Sequence, residues 1–304
     1  MNAGRNLAAS IRQRLLNLSR ERGEDFQLVL TRYAVERLLY RLSRSSYHSE
    51  FLLKGAMLFA LWSDMPHRPT RDLDLLSFGT SDIARIEDVF REIMLTEVEP
   101  DGLAFLADSV RGERIKEDQE YEGVRLICTA RLEQARVKVQ VDVGFGDAVT
   151  PAPEDVLYPL LLADLPAPHL LAYTRYTVVA EKLQAMVMLG LLNTRMKDFY
   201  DLRTLANTYE FDGETLRRAI QATFDRRATP IPLDVPVALS LTFGEDTAKQ
   251  NQWNAFLRRS RLEIEEKSLA DVVADLREFL MPPVLSAARG ETFTHHWTPR
   301  EHWV

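Results

Sequence analysis

A single cysteine in 304 residues, Cys128, rules out an internal disulfide framework, and its setting in the strand-like run GVRLICTARL marks it as an inert core thiol. Long apolar runs are missing too. The stretch Leu160 to Leu162 beside Pro159 is far short of the roughly 20 residues that span a bilayer, so no membrane span is expected. The N-terminal MNAGRNLAASIRQRLLNLSRERGED mixes arginines with leucines at helical spacing and has no uninterrupted apolar core; it fails as a secretory signal, and a cytoplasmic protein is expected. There is no internal repeat and no low-complexity tract. An excess of positive charge is also absent: 38 Lys and Arg against 45 Asp and Glu leave a formal charge of -7. That balance argues against indiscriminate binding to nucleic acid, whose affinity comes mostly from neutralised phosphates. Local basic groups remain, at Arg5, Arg12, Arg14, Arg20 and Arg22 and at Arg258, Arg259 and Arg261. Each would suit an RNA backbone or form a solvated helix face with equal weight.

What is present is a hydrophobic content of 46% with 27% charged residues, the balance of a globular chain, and a length that allows two domains with their own cores. Residues 5 to 22 and 27 to 43 carry apolar stripes at helical spacing. The run Phe51 to Leu53 ends at Lys54 and Gly55, after which Met57, Leu58, Leu61 and Trp62 resume a helical period: strand, tight turn, helix. In RDLDLL, Leu73 and Leu75 alternate with Asp72 and Asp74, so the two aspartates share one face of a strand. A helix near 81 to 95 and a meander of strands from Ser109 to Val143 follow. In the last of these Val137, Val139, Val141 and Val143 point one way, while Lys138, Gln140 and Asp142 point the other. Prolines at 151, 153, 159, 166 and 168 punctuate the next segment, and a helical stretch is expected from Thr177 to Leu205. Later helices are expected around Leu216 to Phe224, Trp253 to Leu262 and Leu269 to Leu280. The expected domains are 1–170 and 171–304.

An Asp-x-Asp on a strand sets two carboxylates roughly 7 Å apart on one face, where hard oxygen ligands attract Mg2+ or Mn2+. A pair of divalent cations would call for a third carboxylate, and Asp142, on the polar face of a valine-lined strand, is the best candidate. Asp-x-Asp alone is common on solvated strands, so the context decides. Lys54, Gly55 and Ala56 precede a helix whose amides and dipole would suit phosphate oxygens. Arg68 and Thr70 lead into the aspartates. His67, in the same loop, reads as a solvated residue, and His295, His296 and His302 as tail decoration or a packed terminus.

Turn and helix, then Arg68-x-Thr70-x-Asp72-x-Asp74, then a later strand aspartate, resemble the polymerase-beta-like nucleotidyltransferase core. Downstream, AEKLQAMVMLGLLNTRMKDFYDL is similar to the matching signature of the AbiEii/AbiGii toxins, relatives of the MenT toxins; the resemblance covers about residues 45 to 210, with a looser echo around Trp253 to Arg261. It implies an α+β fold: a mixed nucleotidyltransferase sheet with flanking helices, then a helical C-terminal domain that completes the nucleotide cleft. It also implies catalytic Asp72, Asp74, Asp142, Lys182 and Asp198, with two Mg2+ or Mn2+ ions on the three strand aspartates. Lys54, Gly55, Ala56, Arg68, Thr70, Lys182 and Lys197 would contact a nucleoside triphosphate. Arg195 and Asp201 complete the last motif, with Asp201 read as structural. Ala56 stands where the family carries glycine or serine, leaving only a backbone amide for phosphate, and Thr174 and Tyr176 replace an expected proline and acidic residue. The implied reaction is transfer of a nucleoside monophosphate to the 3′ end of tRNA, which would block translation, with a separately encoded antitoxin as partner. A protein hydroxyl as acceptor, or a catalytically silent partner-binding protein, are the alternatives.

Overall fold

Hydrophobic alternation and capping chemistry set the element boundaries in a computed structural model of the chain, which describes residues 2–63, 68–118, 121–262 and 268–304. Two units emerge, one of residues 1–146 and 154–172, the other of residues 147–153 and 173–304.

The first unit opens with helices α1 (Asn2–Arg22) and α2 (Phe26–Arg44). Asp25 starts α2 by accepting a hydrogen bond from the Leu28 amide, one of the donors that a helix N-terminus leaves without a partner. Then come β1 (Phe51–Lys54), a 3-10 turn at Gly55–Leu58, α3 (Phe59–Trp62), β2 (Asp72–Ser77) and α4 (Ile83–Leu95). The expected meander is β3 (Leu103–Asp118), β4 (Tyr121–Leu132) and β5 (Ala135–Phe145). Two further strands, β6 (Glu154–Leu157) and β7 (His169–Ala172), lie in the proline-rich segment, where no strand was expected. They are short and flanked by prolines, which hides the two-residue period.

All seven strands form one mixed sheet in the order β3-β4-β5-β2-β1-β7-β6, with β2 parallel to β5, β1 parallel to β7 and the other pairs antiparallel. Val137, Val139, Val141 and Val143 are fully buried, with α2 packed across β5, so Gln140 and Asp142 belong to the opposite face. Cys128 is buried, and burial pushes its thiol up to about 12. A polar cluster fastens α2: the Arg41 guanidinium forks onto Asp101, Arg37 donates to the Pro166 carbonyl at 2.9 Å, and the Leu161 amide donates to Glu36 at 2.7 Å. Burial pushes the Glu36 carboxyl up to about 7, against the lowering effect of the Leu161 amide and Arg37.

The second unit is mainly helical: α5 (Arg175–Leu189), α6 (Met196–Thr208), a short strand β8 (Phe211–Asp212), α7 (Gly213–Arg226), α8 (Leu241–Glu245), α9 (Thr247–Ser260) and α10 (Leu269–Arg289). The helix expected from 177 to 205 is divided. Gly190, at φ +49, ends α5 in a conformation that L side chains rarely adopt. The Asn193 side chain then accepts from the Arg195 amide at the entry to α6. Thr174 caps α5 by accepting from the Thr177 amide. The tail adds β9 (His296–Thr298) and β10 (His302–Trp303), which join β8 in a three-stranded sheet. Trp297 is buried and donates to the Ala206 carbonyl at 2.8 Å, while Trp303 stacks on Phe279, so the His and Trp tail is a packed terminus. No helix among the described residues is long and apolar enough to cross a membrane.

Candidate active site

The polar face of the seven-stranded sheet carries a row of charges set by strand register. Asp74 on β2 pairs with Asp142 on β5, Lys54 on β1 pairs with Asp74, and Arg125 on β4 pairs with Asp142. Four adjacent strands therefore present Lys54, Asp74, Asp142 and Arg125 side by side, at the roughly 4.8 Å spacing of neighbouring strands. Asp72 lies two residues earlier on β2, opposite Gln140. The three aspartates singled out from the sequence are thus neighbours on one sheet, Asp74 and Asp142 across a parallel strand pair and Asp72 one pleat along.

Gly55 explains how the row is sealed above Asp74. Its φ of +76 is open to glycine, and a Cβ built there would lie 2.0 Å from Asp74 Oδ2. The backbone of the turn thus lies directly over that carboxylate. Lys54 is buried, and its ammonium lies 3.5 Å from where a Cβ on Gly144 would be, which puts it beside β5 on the face that holds Asp142. The turn after Lys54 is less helical than expected: one 3-10 turn and the four residues of α3, too short for a strong helix dipole. Ala56 is buried in that turn. Arg68 is half-buried, and the Thr70 hydroxyl donates to the Asp72 carbonyl at 3.4 Å, tying the approach loop to the start of β2. His67 lies outside the described residues, as does the side chain of Arg5.

Arg125 was not anticipated from the sequence. Its Nε donates to Asp142 Oδ1 at 2.9 Å and its Nη2 to Oδ2 at 2.8 Å, with Gln140 Nε2 3.3 Å from both oxygens. The bidentate bond to Asp142 raises the guanidinium pKa above its ordinary value. A signal for this pair was present: β4 and β5 join through the two-residue turn Glu133–Gln134, with Leu132 opposite Ala135. Counting seven residues back from Leu132 and seven on from Ala135 meets at Arg125 and Asp142.

Within the second unit, Lys182, Asp198, Asp201 and Arg195 come together. Lys182 Nζ lies 2.5 Å from Asp198 and 2.9 Å from Asp201, and Arg195 Nε lies 2.7 Å from Asp198. Both aspartates are fully buried. Burial works against the charge of Asp198, but Lys182 and Arg195 outweigh it and hold its carboxyl below the ordinary value. Asp198 and Asp201 grip the same lysine from one face of α6, three residues apart. Lys197 is exposed. On α5 the neighbouring Glu181 belongs to a separate network, 3.5 Å from Arg227, which also bonds Asp147 at 3.0 Å and Gln184 at 2.8 Å.

The donor set of the first unit suits a hard divalent cation. Mg2+ is held by one or two carboxylates, with water and substrate phosphates filling the remaining positions, and Asp72 and Asp74 are the two that could hold it. Among the described residues no three His, Cys, Asp or Glu side chains gather closely enough to hold a metal ion by themselves. Both oxygens of Asp142 already accept from Arg125.

A strand-borne pair of aspartates beside a third, under a glycine turn, is a donor set suited to phosphoryl chemistry. The model of the family described as nucleotidyl transferase AbiEii toxin, Type IV TA system, matches residues 37–278, and the chain belongs to that family. Two solved structures are similar to it: JHP933 from Helicobacter pylori, 13% identical over 88% of this chain and 94% of that one, and an H. pylori protein described as a candidate nucleotidyltransferase, 13% identical over 88% and 96%, both with a TM-score of 0.49. A comparison with curated proteins finds no match.

Proposed function

We propose that this nucleotidyltransferase toxin moves a nucleoside monophosphate from a triphosphate to an acceptor hydroxyl, that the acceptor is the 3′ end of tRNA, and that the modification stops translation. The observation that carries the chemistry is the register of β2 and β5, which sets Asp74 beside Asp142 with Asp72 on the same strand. Asp72 and Asp74 would hold Mg2+ or Mn2+, with Asp142 adjoining a second ion. When bound, such cations neutralise charge on the phosphate oxygens and on the departing pyrophosphate.

The chain's own groups do the rest. Lys54, with its ammonium beside Gly144, adds a positive charge at the opposite end of the row from Arg125, on a face that carries three carboxylates. The Gly55 turn excludes water from one side of Asp74 and fixes where that carboxylate points. Arg68, Thr70 and the Ala56 amide are assigned to the triphosphate on the family resemblance, together with Lys182 and Lys197 of the second unit. Asp198, itself anchored by Arg195, holds the Lys182 ammonium in one place, so that little conformational freedom is lost when it meets an anion, while Asp201 is the structural counter-charge.

The choice of tRNA rests on the resemblance. Of the two basic groups, Arg258, Arg259 and Arg261 are all exposed at the end of α9, whereas among the described side chains of the N-terminal group only Arg20 and Arg22 are exposed, and Arg12 and Arg14 lie against Glu133 and Asp164. The α9 group is therefore the better candidate for RNA phosphates. The family implies a separately encoded antitoxin as the genetic partner. The test is incubation of the protein with each labelled nucleoside triphosphate, Mg2+ or Mn2+ and total tRNA, beside Asp72→Ala and Asp74→Ala. Label on tRNA that ribonuclease releases, with the wild type alone, is the expected result. Label that survives ribonuclease and runs with protein would point to a protein hydroxyl, and no label on either would leave a partner-binding role.

A further inference from the structure

Arg125 makes a two-pronged ionic contact in the carboxylate row. Its planar fork meets both oxygens of Asp142 at 2.9 and 2.8 Å, geometry that a lysine in the same place could not reproduce. It also feels the charges of Asp72 and of Glu113, its partner across β3 and β4. The Arg125 side chain is about one-third exposed (34%), while that of Asp142 is 13% exposed, so the guanidinium is the more open of the two to solvent.

We propose that Arg125 is a built-in competitor for the second divalent cation. Its guanidinium and that cation are alternative partners of Asp142: a first ion at Asp72 and Asp74 binds without disturbing Arg125, and a second binds only as Arg125 leaves. This inference rests on the carboxylate reading of the active site. Its consequence is that a side chain outside the aspartate motif weakens binding of the second ion. With the fork in place Asp142 is neutralised and both its oxygens point at nitrogen donors; with the fork removed, the row carries one fewer positive charge and a carboxylate able to face the ion.

The experiment measures Mn2+ binding to the full chain, without nucleotide, by calorimetry and by the paramagnetic resonance signal of free Mn2+. Wild type is compared with Arg125→Gln, Arg125→Lys and the pair Asp72→Asn and Asp74→Asn. The expected result is one stronger and one weaker ion in the wild type. In Arg125→Gln the weaker tightens by about tenfold or more, the scale of a charge-assisted hydrogen bond, while the stronger moves less than about twofold. Arg125→Lys, which keeps the charge but loses the fork, falls between and serves alone should the glutamine variant fail to fold. An unchanged or weakened second ion in the Arg125 variants, with the first still lost in Asp72→Asn and Asp74→Asn, overturns the role of Arg125 and leaves the carboxylate reading intact. No Mn2+ bound by any form overturns both.

Discussion

Replacing Gly55 by alanine should cost far more activity than stability. A Cβ at that position would lie 2.0 Å from Asp74 Oδ2 and 2.6 Å from its Cγ, where ordinary contact begins at 3.4 Å. The carboxylate must retreat by about 1.4 Å, or the turn must lift by the same amount. A displacement of about 1 Å in a reacting group is enough to lower a rate by about 100-fold. The left-handed backbone at φ +76 by itself costs an alanine about 1–2 kcal/mol, to which relief of the clash with Asp74 adds. Gly23 supplies the control: its φ is +65, but a Cβ there meets nothing within 4 Å. Gly23→Ala should therefore lose only that backbone part of the stability, read by urea denaturation, while keeping full turnover. Gly55→Ala should fold and lose at least about 100-fold in kcat for nucleotide transfer. A folded Gly55→Ala protein that retains turnover within about threefold of Gly23→Ala would show that Asp74 need not stand where the turn holds it.

Three further outcomes concern other parts of the molecule. Asp198→Asn removes a fully buried carboxylate from its ion pairs with Lys182 and Arg195 and should destabilise the protein by about 3–5 kcal/mol; assayed below its unfolding temperature it should also lower kcat/KM for the triphosphate, whereas Asp201→Asn should lower stability alone, and equal kinetic effects would refute that division of roles. Glu36 has a folded pKa of about 7 against an ordinary 4.5, so its contribution to stability is fully present below pH 4.5 and is lost as pH rises through 7. Glu36→Gln should then raise stability by up to about 3 kcal/mol at pH 8 and change it little at pH 5, and a pH-independent effect in denaturation curves would contradict the buried-acid account. Arg258→Ala, Arg259→Ala and Arg261→Ala together should weaken tRNA binding evenly across tRNA species and shallow the salt dependence by about 0.9 for each phosphate that these arginines neutralise; an unchanged slope would place the RNA elsewhere.

Much of the first unit was legible because strand period and burial coincide there. The valines of residues 137 to 143 fix the core face, and with it the face of Asp142, and RDLDLL does the same for Asp72 and Asp74. The strands at 154–157 and 169–172 were hidden because prolines interrupt their surroundings and their pairing is settled by distant partners: β7 is held by β1, over a hundred residues earlier in the chain. The break in the helix at Gly190 was visible as a glycine in a helical run, but only the backbone shows that it takes positive φ and ends the helix. At the site, residue types found the carboxylates and register found their neighbours. Arg125 sits in a run that reads as ordinary strand until the two-residue turn at 133–134 is used to count across to Asp142. The shared hold of Asp198 and Asp201 on Lys182 needed the bend between α5 and α6, which the sequence pattern joined into one helix.

Attack at the α-phosphate beside Asp72 and Asp74 is tested most directly by following two labels on one triphosphate, at the α- and γ-phosphates, through a single turnover with tRNA. The α-label should enter the acceptor while the γ-label leaves as pyrophosphate, and Asp72→Ala and Asp74→Ala should do neither. Entry of the γ-label into the acceptor, or transfer undiminished in those variants, would contradict the assignment of these carboxylates to nucleotidyl transfer.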